Sequence, residues 1–325
     1  EAMFQVIKQG TVIPFMKIAK PVEALCLLLV IGCIVLLSVK GLNWGLDFTG
    51  GAVIEVQYPE NAGGEPVDLE KVRASLAGNG IEGAVVQFFG TSRDVSIRLR
   101  PREGENQQGI TEKVKTAVTS MNPDARVTRS EFVGPAVGEE LVTSGIVAIV
   151  VSLIVMLAYI AARFEWRMAT GAVVSLVYDV FVVLGVFSFM WVEYDLTVLA
   201  SVLTVVGYSL NDKIVVFDRI RENARRLHRM PMDRLFDVSL TETLSRTIIT
   251  SGTTLITVVA LLLLGGEMIY GFSLALLVGI VFGTFSSIYV ASTWPLLLKI
   301  QRENLLPMEI KKDVGEPEAE VPYPD

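Results

Sequence analysis

Histidine and cysteine, the residues most often recruited for metal binding and nucleophilic catalysis, are almost missing: His228, Cys26 and Cys33 are all there are in 325 residues. Both cysteines fall in one apolar run and none in the polar segment after it, so neither a disulfide framework nor a thiolate metal site is expected. They read as lipid-buried thiols. His228 stands among arginines, where a solvated surface residue is the expectation. No G-x-x-x-x-G-K-[ST] phosphate loop occurs, which excludes nucleotide hydrolysis on such a loop. The long apolar runs lack charge almost entirely, and the few ionised residues inside them carry most of the information.

With 51% hydrophobic residues and a mean hydropathy of +0.52, the chain is too apolar for an ordinary soluble domain. Six blocks approach or exceed the ~20 residues that span a bilayer, at 22–39, 141–161, 169–191, 196–217, 244–264 and 272–298. The first follows Lys17 and Lys20 but has no small-x-small cleavage site after it, so it reads as a retained anchor. The predicted class is a polytopic α-helical membrane protein. Its net charge of -7 draws partly on a Pro/Glu-rich tail, 300–325, expected to be disordered. The partners this composition implies include the lipid bilayer and no nucleic acid.

Lys and Arg crowd the segments before block one, between blocks two and three, between four and five, and after six, whereas the loops 192–195 and 265–271 contain neither. The excess of positive charge on the cytoplasmic side predicts that both termini are cytoplasmic. The chain then divides into a cytoplasmic N-terminus 1–21, helix one 22–40, an outer domain 41–138, a five-helix region 139–299 with a basic connector 218–243, and the tail. Within the outer domain, alternation predicts strands at 51–58, 84–89, 94–100 and 125–133 around a turn at 90–93; helical spacing appears at 67–76 and 107–121. This β-α-β-β-α-β order is the split βαβ, ferredoxin-like arrangement. With no histidine, cysteine or catalytic cluster, it reads as a binding or docking module.

Asp212 lies in the fourth block, where a carboxylate costs about 2.5–3.5 kcal/mol on insertion scales and usually marks an ion path, a proton relay or a helix-pairing point. Asp218 and Arg219 fall about 9 Å further along the helix, at the cytoplasmic boundary. Arg246, just inside the fifth block at comparable depth, is expected near Asp212 or facing the same wet cavity. Two readings of that pair stay open: a static pair fixing helix register, and a carboxylate poised between ion pairing and desolvation that binds and releases protons. Asp179, half-way along the third block, is a second candidate for the relay, with a polar tether to a neighbouring helix as its competitor. Lys213, about 100° round the helix from Asp212, can snorkel toward the cytoplasm, or its charge could depress the pKa of Asp212. Threonines and serines of the fifth block, from Thr247 to Thr257, could bond across helices or line a hydrated path. In the sixth block Gly271, Ala275, Gly279, Gly283 and Ser287 form a small-residue stripe for close helix packing.

Four motifs together carry a family resemblance: Asn43-Trp44-Gly45-Leu46-Asp47-Phe48-Thr49-Gly50-Gly51, Glu131-Phe132-Val133-Gly134-Pro135-Ala136-Val137-Gly138, the Asp212 phrase from Val206 to Asn223, and Leu244-Ser245-Arg246 running to Thr254. With these in order over nearly the whole chain, it resembles the SecD/SecF family of bacterial protein-export membrane proteins. The resemblance implies a six-helix half of a resistance-nodulation-division-type fold in the inner membrane, completed by SecD. It also implies that proton flow drives outer, periplasmic domains that assist unfolded preprotein leaving the SecYEG translocon. Asp212 and Arg246 match the family's essential membrane charges, and protons are the only coupling ion implied, with no cofactor. Lys213 departs from the Ser or Thr more usual there.

Other functions remain in view from the residues alone. A small-molecule efflux subunit would share the membrane charges. An intramembrane aspartyl protease would need Gly-x-Gly-Asp, whereas this chain has Ser209-Leu210-Asn211-Asp212. A non-catalytic assembly scaffold would tolerate neutralisation of Asp212.

Overall fold

The computed structural model describes residues 11–59, 66–89, 91–99, 107–266 and 269–305. The first ten residues and the tail from 306, read above as cytoplasmic and disordered, lie outside the described residues. In chain order a 3-10 turn Phe15–Lys17 leads to α1 (Ala19–Lys40), β1 (Asn43–Trp44), α2 (Leu46–Thr49), β2 (Gly51–Gln57), α3 (Leu69–Gly78), β3 (Val85–Phe89), β4 (Thr91–Leu99), α4 (Gln107–Met121) and β5 (Arg126–Val133). Then follow α5 (Pro135–Arg163), α6 (Trp166–Met190), β6 (Glu193–Tyr194), α7 (Leu196–Arg226), α8 (Met232–Leu264), α9 (Tyr270–Ile288), α10 (Val290–Leu297) and α11 (Arg302–Leu305). Contacts divide the chain into two units, one of residues 44–148 and one of residues 1–43 with 149–325.

In the smaller unit, β2 to β5 form one antiparallel sheet in the order β3-β4-β2-β5. Period-two alternation puts Ile54, Val56, Val86, Val95 and Ile97 on one face, where Val72 and Leu76 of α3 and Ile110, Val114 and Val118 of α4 close a core. β4 begins at Thr91, so most of the turn read at 90–93 is strand. The polar run Thr91-Ser92-Arg93 mimics turn chemistry, but its carbonyls are taken up: Tyr58 N–H donates to Arg93 O at 3.0 Å and Val67 N–H to Ser92 O at 3.1 Å. The two glycine-rich motifs meet in this unit. Gly50 and Gly51 both take positive φ, 64° and 130°, and a Cβ on Gly138 would lie 3.0 Å from the Gly50 nitrogen. Only glycine suits these three positions.

Among the described residues six helices are long and apolar enough to cross a membrane: Ala19–Lys40, Val137–Arg163, Trp166–Met190, Leu196–Arg226, Met232–Leu264 and Tyr270–Leu297; all fall in the larger unit except the first part of the second, up to residue 148. Leu25, Leu28 and Ile31 of α1 and Ile154 and Val155 of α5 are exposed, as lipid-facing side chains would be. The interior is built on α6, α7, α9, α10 and the first turns of α8, with Met168, Leu176, Phe217, Ile220, Leu235 and Phe236 fully enclosed. Asp195 caps α7, accepting from Val198 N–H at 2.8 Å and Thr197 Oγ1 at 2.7 Å.

The stretch 218–243, expected as a basic connector between the fourth and fifth blocks, is helical except at 227–231, because α7 and α8 run well past the ~20 residues a bilayer needs and meet as a hairpin. Its arginines and glutamates pair along and across that hairpin and so support the helices. The sixth block forms one span, Tyr270–Leu297, interrupted at a single residue, Tyr289, between α9 and α10. Within α10, Pro295 has no N–H for the Ala291 carbonyl, and a Cβ on Gly171 would stand 2.8 Å from that oxygen, so α6 approaches this turn of α10 through a glycine.

Candidate proton-coupling site

α6, α7 and α9 converge on a desolvated charge pair. Asp179 and Lys213 are both 0% exposed, and Lys213 Nζ donates to Asp179 Oδ2 at 3.0 Å. Ser209, one turn before Lys213, donates to the same oxygen at 2.5 Å and also contacts the lysine ammonium, while its carbonyl lies 3.5 Å from Nζ. From α9, Ser286 donates to Asp179 Oδ1 at 2.6 Å, and Ser175 of α6 donates to Ser286 at 3.0 Å. Lys213 therefore does not snorkel. A carboxylate on the facing helix at the same depth turns its stem inward, and hydroxyls complete the shell that a buried ion pair requires.

Asp212 points elsewhere, being about 100° round the helix from Lys213. It is 4% exposed and has no hydrogen-bond or ion-pair partner among the described residues, although Lys213 and Arg246 are both within electrostatic reach. Arg246 is exposed on α8, and its guanidinium likewise has no partner among the described residues. The expected proximity is thus electrostatic and not a contact, because Arg246 occupies the outward side of its helix.

The boundary residues are paired. Asp218 accepts from Arg163 Nη2 at 2.6 Å, and Arg219 donates to Glu242 at 2.6 Å and to Glu222 at 2.7 Å. Glu242 also accepts from Asn223 at 2.7 Å and Arg226 at 3.1 Å, which ties α7 to α8. The sequence reading passed over Glu242; three basic or amide side chains at helical spacing opposite one glutamate were the available signal. Most fifth-block threonines bond back to their own helix, as Thr250 does to the Arg246 carbonyl at 2.9 Å. Ser251 to Thr284, at 2.8 Å, crosses to α9, and Tyr208 reaches Thr254 at 3.4 Å.

The small-residue stripe faces α7 of the same chain. A Cβ on Gly279 would stand 2.2 Å from Val205 Cγ2, and one on Gly283 would stand 3.0 Å from Ser209 Oγ and 3.7 Å from Asp179 Oδ2. Gly283 thus gives the charge pair its room. Ser287 is buried, donating to the Thr284 carbonyl at 2.7 Å and accepting from Ser292 at its own carbonyl.

Comparison with known proteins gives this arrangement a family. Residues 113–303 match the family described as protein export membrane protein SecD/SecF, C-terminal, and residues 35–58 match the SecD/SecF GG motif. The protein translocase subunit SecF of Vibrio alginolyticus is 49% identical over 315 residues, covering 97% of this chain and 98% of its own. That of Pseudomonas aeruginosa is 46% identical over 313 residues, covering 95% and 99%. Among solved structures, SecDF from Thermus thermophilus superposes with a TM-score of 0.79 at 36% identity, over 90% of this chain. The match takes in 40% of that longer chain. These relatives are transport proteins of the protein-export route, and with its apolar helices this chain is a multi-pass inner-membrane protein. By the matched length, the identities and the shared motifs, the chain belongs to the SecD/SecF family of protein-export membrane proteins, on its SecF side.

Proposed function

We propose that the chain is the SecF-type half of a SecDF assembly that uses the proton gradient to assist preprotein export. Its partners in this reading are SecD, which completes the membrane fold, the SecYEG translocon, and unfolded preprotein on the periplasmic side. Both termini and the α7–α8 hairpin are cytoplasmic. The 41–138 domain is periplasmic and ferredoxin-like, the βαββαβ order with β2 central beside β4 being that arrangement. The chain acts as a transport subunit without catalysis or cofactor, with protons as coupling ion.

The observation that carries the reading is Asp212, a buried carboxylate in a membrane helix left without a bonding partner while a cation at its depth, Arg246, faces outward. A protonation change there alters the attraction between α7 and α8 without first breaking an existing hydrogen bond. The membrane potential contributes about 2.3 kcal/mol per charge per 100 mV, enough to bias a two-state motion. Asp179 enters the coupling site through its hold on Lys213. Export measured in inner-membrane vesicles with and without a proton gradient tests this. Asp212→Asn keeps size and removes titration, and at equal levels of assembled protein it is expected to abolish gradient-dependent stimulation. Arg246→Lys keeps charge but loses the guanidinium fork and is expected to impair it. Wild-type stimulation in Asp212→Asn would overturn the assignment.

A further inference from the structure

Lys213 carries a charge that neither the helix packing nor the Asp212–Arg246 couple accounts for. Its ammonium is enclosed by Asp179, Ser209 and the α7 backbone, and both Asp179 oxygens are occupied, one by Lys213 and Ser209 and the other by Ser286. Moving it would require breaking contacts that join α6, α7 and α9 together. The next residue along α7 toward the periplasmic side is Asp212, whose carboxylate feels both Lys213 and Arg246. One of those cations is enclosed and held by Asp179 and Ser209; the other is exposed and unpaired among the described residues. Burial strengthens the enclosed one, since a charge in a medium of effective dielectric near ~20 acts several times more strongly than in water.

We propose that Lys213, clamped by Asp179, Ser209 and Ser286, is a positioning residue for coupling: a fixed positive charge against which Asp212 is balanced, so that a proton arriving at Asp212 releases only its hold on Arg246 and α8. The inference rests on the proton-coupling reading of Asp212. A plain strut predicts something different, because a buried ion pair replaced by neutral groups of similar size is often neutral or stabilising for the fold.

The test is a charge-free pair made in the full chain and assembled with its partner in inner-membrane vesicles. Asp179→Asn with Lys213→Gln keeps hydrogen-bonding groups facing the serines; Asp179→Asn with Lys213→Met, an apolar second version, guards against misfolding of the first. Assembly is read by co-purification and export with and without a proton gradient. The expected result is wild-type assembly in at least one version, with gradient-dependent stimulation lowered about tenfold, because the pair carries away Lys213, a charge that Asp212 feels, while Asp179 is not among the charges acting on it. Wild-type stimulation in an assembled version, together with loss in Asp212→Asn, would overturn the role of Lys213 alone. Wild-type stimulation in Asp212→Asn would overturn the underlying reading. Failure of both paired versions to assemble would make the pair a determinant of folding and would equally overturn the positioning role.

Discussion

Adjacent residues 212 and 213 are both buried but face different surroundings. Lys213 turns inward, where removing its partner would strand a buried charge at a cost of about 3–5 kcal/mol, and Asp212 turns away with nothing bonded to it among the described residues. That Asp212 would be enclosed within a long apolar helix was legible in the sequence, because it lies inside an apolar run. The pairing of Lys213 with Asp179 was not, because the two are brought together only by the packing of α6 on α7, and helical spacing alone equally allowed a snorkelling lysine. Close packing at single glycines makes the same point measurable. Gly279→Ala places a methyl 2.2 Å from Val205 Cγ2, whereas Gly207→Ala meets nothing within 4 Å. In the isolated chain Gly279→Ala is expected to lose about 1–3 kcal/mol to overpacking, and Gly207→Ala to gain up to about 1 kcal/mol from reduced unfolded-state freedom. Thermal unfolding in detergent separates them. Equal melting temperatures would mean that α9 does not approach α7 through Gly279.

Elements were easiest to read where period and end signals agreed. β2 and α4 lie where alternation and helical spacing put them, within a residue. The misreading came where local chemistry and tertiary pairing conflicted: a polar run at Thr91 read as a turn is strand, its carbonyls taken up by neighbouring backbone groups. The start of α3 allows a test at this scale. Asp68 accepts from Lys71 N–H at 3.3 Å and Glu70 N–H at 3.1 Å, and these donors, that of Lys71 foremost, hold its carboxyl below the usual carboxylate range. A group with a lowered folded value stabilises fully above its ordinary pKa of about 3.9 and loses that contribution as pH falls through the folded value. Asp68→Ala should therefore speed hydrogen exchange in α3 at neutral pH, and the difference from wild type should vanish in acid below the folded value. Identical exchange at neutral pH would remove the cap from the account.

At the scale of the whole molecule, charge asymmetry and helix direction make one joint statement about orientation. Arg163, Arg167, Arg219, Arg221 and Arg226 gather where α5 ends, α6 begins and α7 meets α8. The opposite ends of α6 and α7 are joined by 192–195 without a basic residue, and there Lys40 reaches the Phe189 carbonyl at 2.9 Å and Asn43 the Trp191 carbonyl at 3.1 Å. In the proposed topology six spans, an even number, lie between the two termini and put both on one side, and the positive-inside rule predicts that this side is the cytoplasm. The assignment can be checked without knowing the mechanism. In a background of Cys26→Ala and Cys33→Ala, which removes the two native thiols of α1, a cysteine at exposed Lys115 of α4 should react with a membrane-impermeant thiol reagent applied to spheroplasts. A cysteine at exposed Arg225, near the end of α7, should react only after the membrane is permeabilised. Labelling of both from one side would require an odd number of crossings between them to be lost, and would overturn the six-crossing topology on which the placement of Asp212 in the inner half of the bilayer depends.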